Sequence, residues 1–121
     1  MSTVIRERIM EVEAAPVHLS LHVVATLNIT AADARRRVNQ QVVIELGTGL
    51  IGRDPDLVIE GEQFLWRVPI VLSLPRLGDL GQVGHVDVDA CTGEFLADEA
   101  TRDRIIQHAR RLYHGATLPA E

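Results

Sequence analysis

The chain has 121 residues, of which 46% are hydrophobic and 24% charged, and it carries a formal net charge of −5 at pH 7. A domain of this length buries roughly two thirds of the surface its unfolded chain exposes, so one core suffices. The composition excludes a disordered chain, the apolar runs fall short of the ~18 residues a spanning helix needs, and acidity without a basic stripe argues against a nucleic-acid partner.

Cys91 is the sole cysteine, which excludes an internal disulfide and a multi-cysteine zinc site. The opening MSTVIRERIMEVE is interrupted by Arg and Glu and does not read as a secretory leader. Both features predict a cytoplasmic protein.

Residues 1–16, ending at Pro16, read as a flexible arm or a short helix. From Val17 to Ile29 the odd positions are apolar and the even ones include His18, Ser20 and His22, which predicts a strand. At ~3.3 Å per residue it would reach about 43 Å, so it bends or pairs outside the domain. Thr30 and Asp33 form the start signal of a helix over 31–46, with Gly47 as a left-handed stop. Ala34, Val38, Val42 and Leu46, four residues apart, would face the sheet, while Arg35, Arg36, Arg37, Asn39 and Gln40 would face mostly water.

The glycines at 47, 49 and 52 and the run Asp54-Pro55-Asp56 predict a loop, followed by a strand over 57–60. Phe64, Trp66, Val68, Ile70, Leu72 and Leu74 then share one face of a strand whose other face holds Arg67, Pro69 and Ser73. Pro69 lacks a backbone N–H, which predicts a sheet edge or a bulge at that point, the edge being preferred. A partner strand over 83–90 sets Val86, Val88 and Ala90 against His85, Asp87 and Asp89, and 94–97 would return as a short strand. Asp98 caps a second helix over 99–113, with Ile105, Ala109, Leu112 and Tyr113 as its apolar stripe and Gly115 as its stop; 116–121 reads as a tail. The expected fold is α+β: one domain over 17–115, with a mainly antiparallel sheet of three to five strands, two helices packed on one face and a polar opposite face.

Chemistry-bearing residues are sparse. His18 and His22 lie ~13 Å apart on a strand, too far for one tetrahedral ion. Asp87 and Asp89 resemble the opening of a calcium loop, but Cys91 and Thr92 stand where an oxygen ligand and a glycine belong. Cys91 has no adjacent base, no serine lies in a Gly-x-Ser-x-Gly elbow, and the 47–52 glycines lack the Lys-Ser/Thr of a phosphate loop. Trp66 reads as a core anchor, or as an interface hot spot.

The sequence Trp66-Arg67-Val68-Pro69-Ile70, and the run from Val86 through Asp87, Val88, Asp89, Ala90, Cys91, Thr92 and Gly93 to Glu94, resemble the PepSY domain over about residues 31–97. The resemblance implies a helix packed on a small antiparallel sheet and a link to the restraint of peptidases. Most PepSY domains are exported or membrane-linked, and this chain adds the strand over 17–29 and the second helix. The expected function is a non-catalytic protein-binding or regulatory module. Its partner would be another protein or a second copy, met through sheet edges and His18, Ser20, His22, Trp66 and Arg67. The alternative is a small-molecule or metal site, enzymatic or not, at His85, Asp87, Asp89 and Glu94. No catalytic residue and no cofactor are assigned, and neither membrane nor nucleic acid is an expected partner.

Overall fold

The computed structural model describes residues 3–6 and 26–117. Strand β4 (Gln63–Leu74) organises the sheet, because it pairs along both of its edges. β5 (Gly78–Asp89) runs antiparallel along one edge from Leu65 to Leu74. The other edge is shared end to end by β3 (Asp56–Glu60), opposite residues 63–67, and β2 (Leu50–Gly52), opposite residues 70–72. β1 (Thr3–Arg6) lies outside β3 and parallel to it. Four strands are thus antiparallel, and with the helices the class is α+β.

Pro69 is therefore not at a sheet edge. Its carbonyl accepts from Arg53 N at 2.9 Å, and in an extended strand a residue's N–H and C=O point to the same side. The missing N–H consequently faces the interruption between β2 and β3 at Arg53 to Pro55, where no ladder bond is lost.

Several further expectations change. Residues 47–56, expected as loop, contain β2. β5 begins at Gly78, five residues before the expected start, since a turn over Pro75 to Leu77 closed by Gly78 at φ +70° joins it directly to β4. Register shifts after Ile70 and Leu72 leave Val83 and Leu80 unmatched, so bulges carry the strand through its glycines. Residues 94–97 contribute one bridge, Phe95 to Val88, instead of a strand. Of the expected strand over 17–29, residues 17–25 lie outside the described residues. Residues 26–29 are irregular, with the Asn28 and Ile29 N–H groups both donating to Ala90 O at 3.1 Å. Thr3–Arg6, expected within an arm, is β1.

Helix α1 (Ala31–Val38) starts as predicted, with Thr30 Oγ1 accepting from Asp33 N at 3.1 Å. It continues through a π-helical segment, Asn39–Val43, into the short α2 (Ile44–Leu46). The four-residue spacing explains the π segment. In a helix of 3.6 residues per turn each such step drifts by about 40°, and a wider turn returns the stripe to the core. Ala34, Val38 and Val42 are all buried. Asn39 does not face water: Gly52 N donates to its Oδ1 at 2.7 Å and its Nδ2 donates to Gly52 O at 3.2 Å, satisfying the outer edge of β2.

Asp98 Oδ1 accepts from Thr101 N at 2.8 Å and caps helix α3 (Glu99–Thr117). The helix runs through Gly115, whose φ is not positive and which therefore provides no left-handed stop.

Trp66, Val68, Ile70 and Leu72 of β4, with Val83, Val86, Val88 and Ala90, form one cluster with Ala34, Val38, Val42, Val43 and Ile105. Gly84 and Gly52 both pair with Ile70; a Cβ on the first would meet Ile105 at 2.6 Å and on the second Val68 at 3.0 Å. The opposite face is not uniformly polar. Val58 and Leu65, register partners pointing that way, are both buried.

Candidate functional site

The residues singled out by sequence fall into different environments. Trp66 is 3% exposed and its indole N–H donates to Ile29 O at 2.7 Å, so within the protomer it is a core anchor. Arg67 lies on the opposite sheet face. Its Nε and Nη2 meet Asp87 Oδ1 and Oδ2, both at 2.8 Å, and Nη2 also reaches Glu60 Oε1 at 3.3 Å. Hydrogen bonding to the Asp87 carboxylate raises the guanidinium above its ordinary pKa against the opposing effect of burial. With side chains 17% and 13% exposed, Arg67 and Asp87 form a cross-strand ion pair that fixes the register of β4 on β5. His18, Ser20 and His22 lie outside the described residues.

The four residues of the alternative site are dispersed. Asp87 is held by Arg67, and His85 Nε2 stands 4.0 Å from its Oδ1. Asp89 Oδ1 accepts from Cys91 N at 2.8 Å and Thr92 N at 3.0 Å, so it shapes the turn after β5. Glu94 is exposed beyond that turn, its N–H donating to Thr92 Oγ1. Among the described residues no group of three or more His, Cys, Asp or Glu side chains is placed to hold a metal ion.

Two surface features were missed by sequence. The first is an apolar end where the close of helix 31–46, the loop before β2 and the second half of α3 meet. A hollow of about 220 Å³ there is lined by Leu46, Leu50, Leu72, Ile106, Ala109 and Tyr113. It shares Gly47, Thr48 and Leu50 with a neighbouring hollow walled by Ile44. Ile44 is 74% exposed and Tyr113 48%. Glu45 flanks Ile44, and Arg110 lines the 220 Å³ hollow. The signal was present: Ile44 does not fall on the four-step stripe that buries Val42.

The second feature is a groove of about 430 Å³ between β5 and α3, lined among others by Gln82, Val83, His85, Thr101, Arg104 and His108. Thr101, Arg104 and His108 recur at i, i+3 and i+7 and so share one helix face, a spacing legible in the sequence but overshadowed by the apolar stripe beside it.

No family model matches the chain. No match was found among curated proteins or solved structures either. Among the described residues no helix is long and apolar enough to cross a membrane.

Proposed function

We propose that the protein is a non-catalytic protein-binding module that associates with a second copy of itself through its apolar end. The observation that carries this reading is Ile44, a large aliphatic side chain 74% exposed beside an apolar hollow. Exposed apolar side chains gathered at one place mark interaction surfaces. A two-fold interface needs one patch that complements itself, and this patch has both a protrusion and a cavity. With Ile44 of each protomer seated in the other's hollow, both apolar surfaces are covered, while Glu45 beside the protrusion stays paired with Arg102 of its own protomer at 2.9 Å.

A regulatory role agrees with the PepSY resemblance of residues 31–97, and a cytoplasmic setting without nucleic acid agrees with the acidic charge and single cysteine. Sedimentation equilibrium is the test. We expect a dimer at tens of micromolar, and for Ile44→Glu a monomer with an unchanged melting profile, because the substituted side chain is exposed in the protomer. A wild-type chain that stays monomeric at several hundred micromolar, or an Ile44→Glu variant that dimerises equally well, overturns the reading.

A further inference from the structure

The β5–α3 groove has a polar lining of unusual sign for this chain. The sequence holds 17 Asp and Glu against 12 Lys and Arg, yet none of the described residues lining the groove is a carboxylate. Its polar side chains are instead a guanidinium (Arg104), a hydroxyl (Thr101), an amide (Gln82) and the imidazoles of His85 and His108.

The hydrogen bonds orient these groups. His108 Nδ1 lies 3.2 Å from Val83 O; a carbonyl only accepts, so Nδ1 carries the hydrogen and Nε2 is left to a ligand or to water. Thr101 Oγ1 accepts from Arg104 Nη2 at 3.3 Å, which leaves its own hydrogen to donate. Arg35, Arg36, Arg53, Arg67 and Arg102 each meet a carboxylate within 4.0 Å; Arg104 is one of the described arginines that do not, and its charge acts on the Asp98 carboxyl at the start of its own helix. A forked cation with no carboxylate within 4.0 Å, beside a hydroxyl donor and on a concave surface floored by Val83, Gly84 and Ile105, has the chemistry of an oxyanion site.

We propose that this groove binds a compact oxyanion, a carboxylate or a phosphate, with Arg104 supplying the charge and Thr101 a directed hydrogen bond. Nε2 of His108 takes part by accepting the hydroxyl of a hydrogen phosphate. The site is separate from the apolar end, and the two stand or fall independently.

The test is an amide-resolved NMR titration of the full chain with sodium phosphate and, separately, sodium malonate, each at ionic strength matched with sodium chloride. Saturable shifts confined to residues 82–85 and 101–108 are expected with at least one anion. Arg104→Gln should weaken binding at least 10-fold, Arg104→Lys should retain part of it, and Arg111→Gln, outside the groove, should change nothing. Tighter binding of phosphate identifies a phosphate ligand, tighter binding of malonate a carboxylate ligand, and equal binding the shared oxyanion chemistry. Absence of saturable shifts with both anions, or equal affinity in the folded Arg104→Gln variant, overturns the proposal.

Discussion

Gly84 leaves no room for a methyl group, since a Cβ there would stand 2.6 Å from Ile105 Cγ1. Crowding a packed core costs about 1–3 kcal/mol, so Gly84→Ala should be destabilised by that amount in urea unfolding. Ile105→Ala removes the clashing atoms, and Gly84→Ala with Ile105→Ala should lose less stability than the sum of the single changes. Strict additivity would contradict the contact. The Arg67–Asp87 pair follows a different rule, because both groups are mostly but not wholly buried. Asp87→Ala leaves a mostly buried guanidinium with only its longer contact to Glu60 and should lower the melting temperature by roughly 5–10 °C, the cost of a poorly paired charge discounted for partial exposure. Replacing both partners, Arg67→Met with Asp87→Leu, should recover most of that loss, and equal melting of the single and double variants would contradict the pairing.

At the scale of elements, the cap of α3 links the fold to pH. A hydrogen bond from Thr101 holds the Asp98 carboxyl below its ordinary value near 3.8, as Thr30 does for Asp33 and Arg53 for Asp79. For a carboxyl whose folded pKa is depressed, the unfolded chain binds more protons in the intervening window. Its stabilising contribution is therefore present above about pH 4 and fades as pH falls through the folded value. Asp98→Asn keeps a capping oxygen but cannot titrate, so its urea midpoint should fall less between pH 5 and pH 3 than that of the wild type. Parallel declines would contradict the assignment. Both caps were legible in the sequence, as were the alternation of β4 and the helix stripes apart from Tyr113, which is exposed, because each is a local pattern. The position of β4 was not legible. Pro69 argues for an edge by itself, and only the break at Arg53 to Pro55 in the neighbouring strand removes the conflict. Likewise, nothing local announces that Asn39 bonds to Gly52, thirteen residues away across the fold.

At the scale of the whole molecule, several of the chemistry-bearing residues that sequence singled out serve the architecture, Trp66 the core, Arg67 and Asp87 the strand register and Asp89 a turn, whereas His85 lines the β5–α3 groove and Glu94 is exposed. The two surfaces proposed to meet other molecules, an apolar end and a donor-lined groove, could not be assembled from neighbouring positions in sequence. Leu46, Leu72 and Ala109 come together only when helix 31–46, β4 and α3 converge. Cross-linking tests the self-association surface most directly. In a Cys91→Ser background, chains bearing Ile44→Cys are mixed with distinguishable chains bearing Ala109→Cys under mild oxidation. A disulfide between positions 44 and 109 of different chains is the predicted product. A dimer that persists in sedimentation but yields no such product, or a mixture that stays monomeric, would contradict the seating of Ile44 in the partner's hollow.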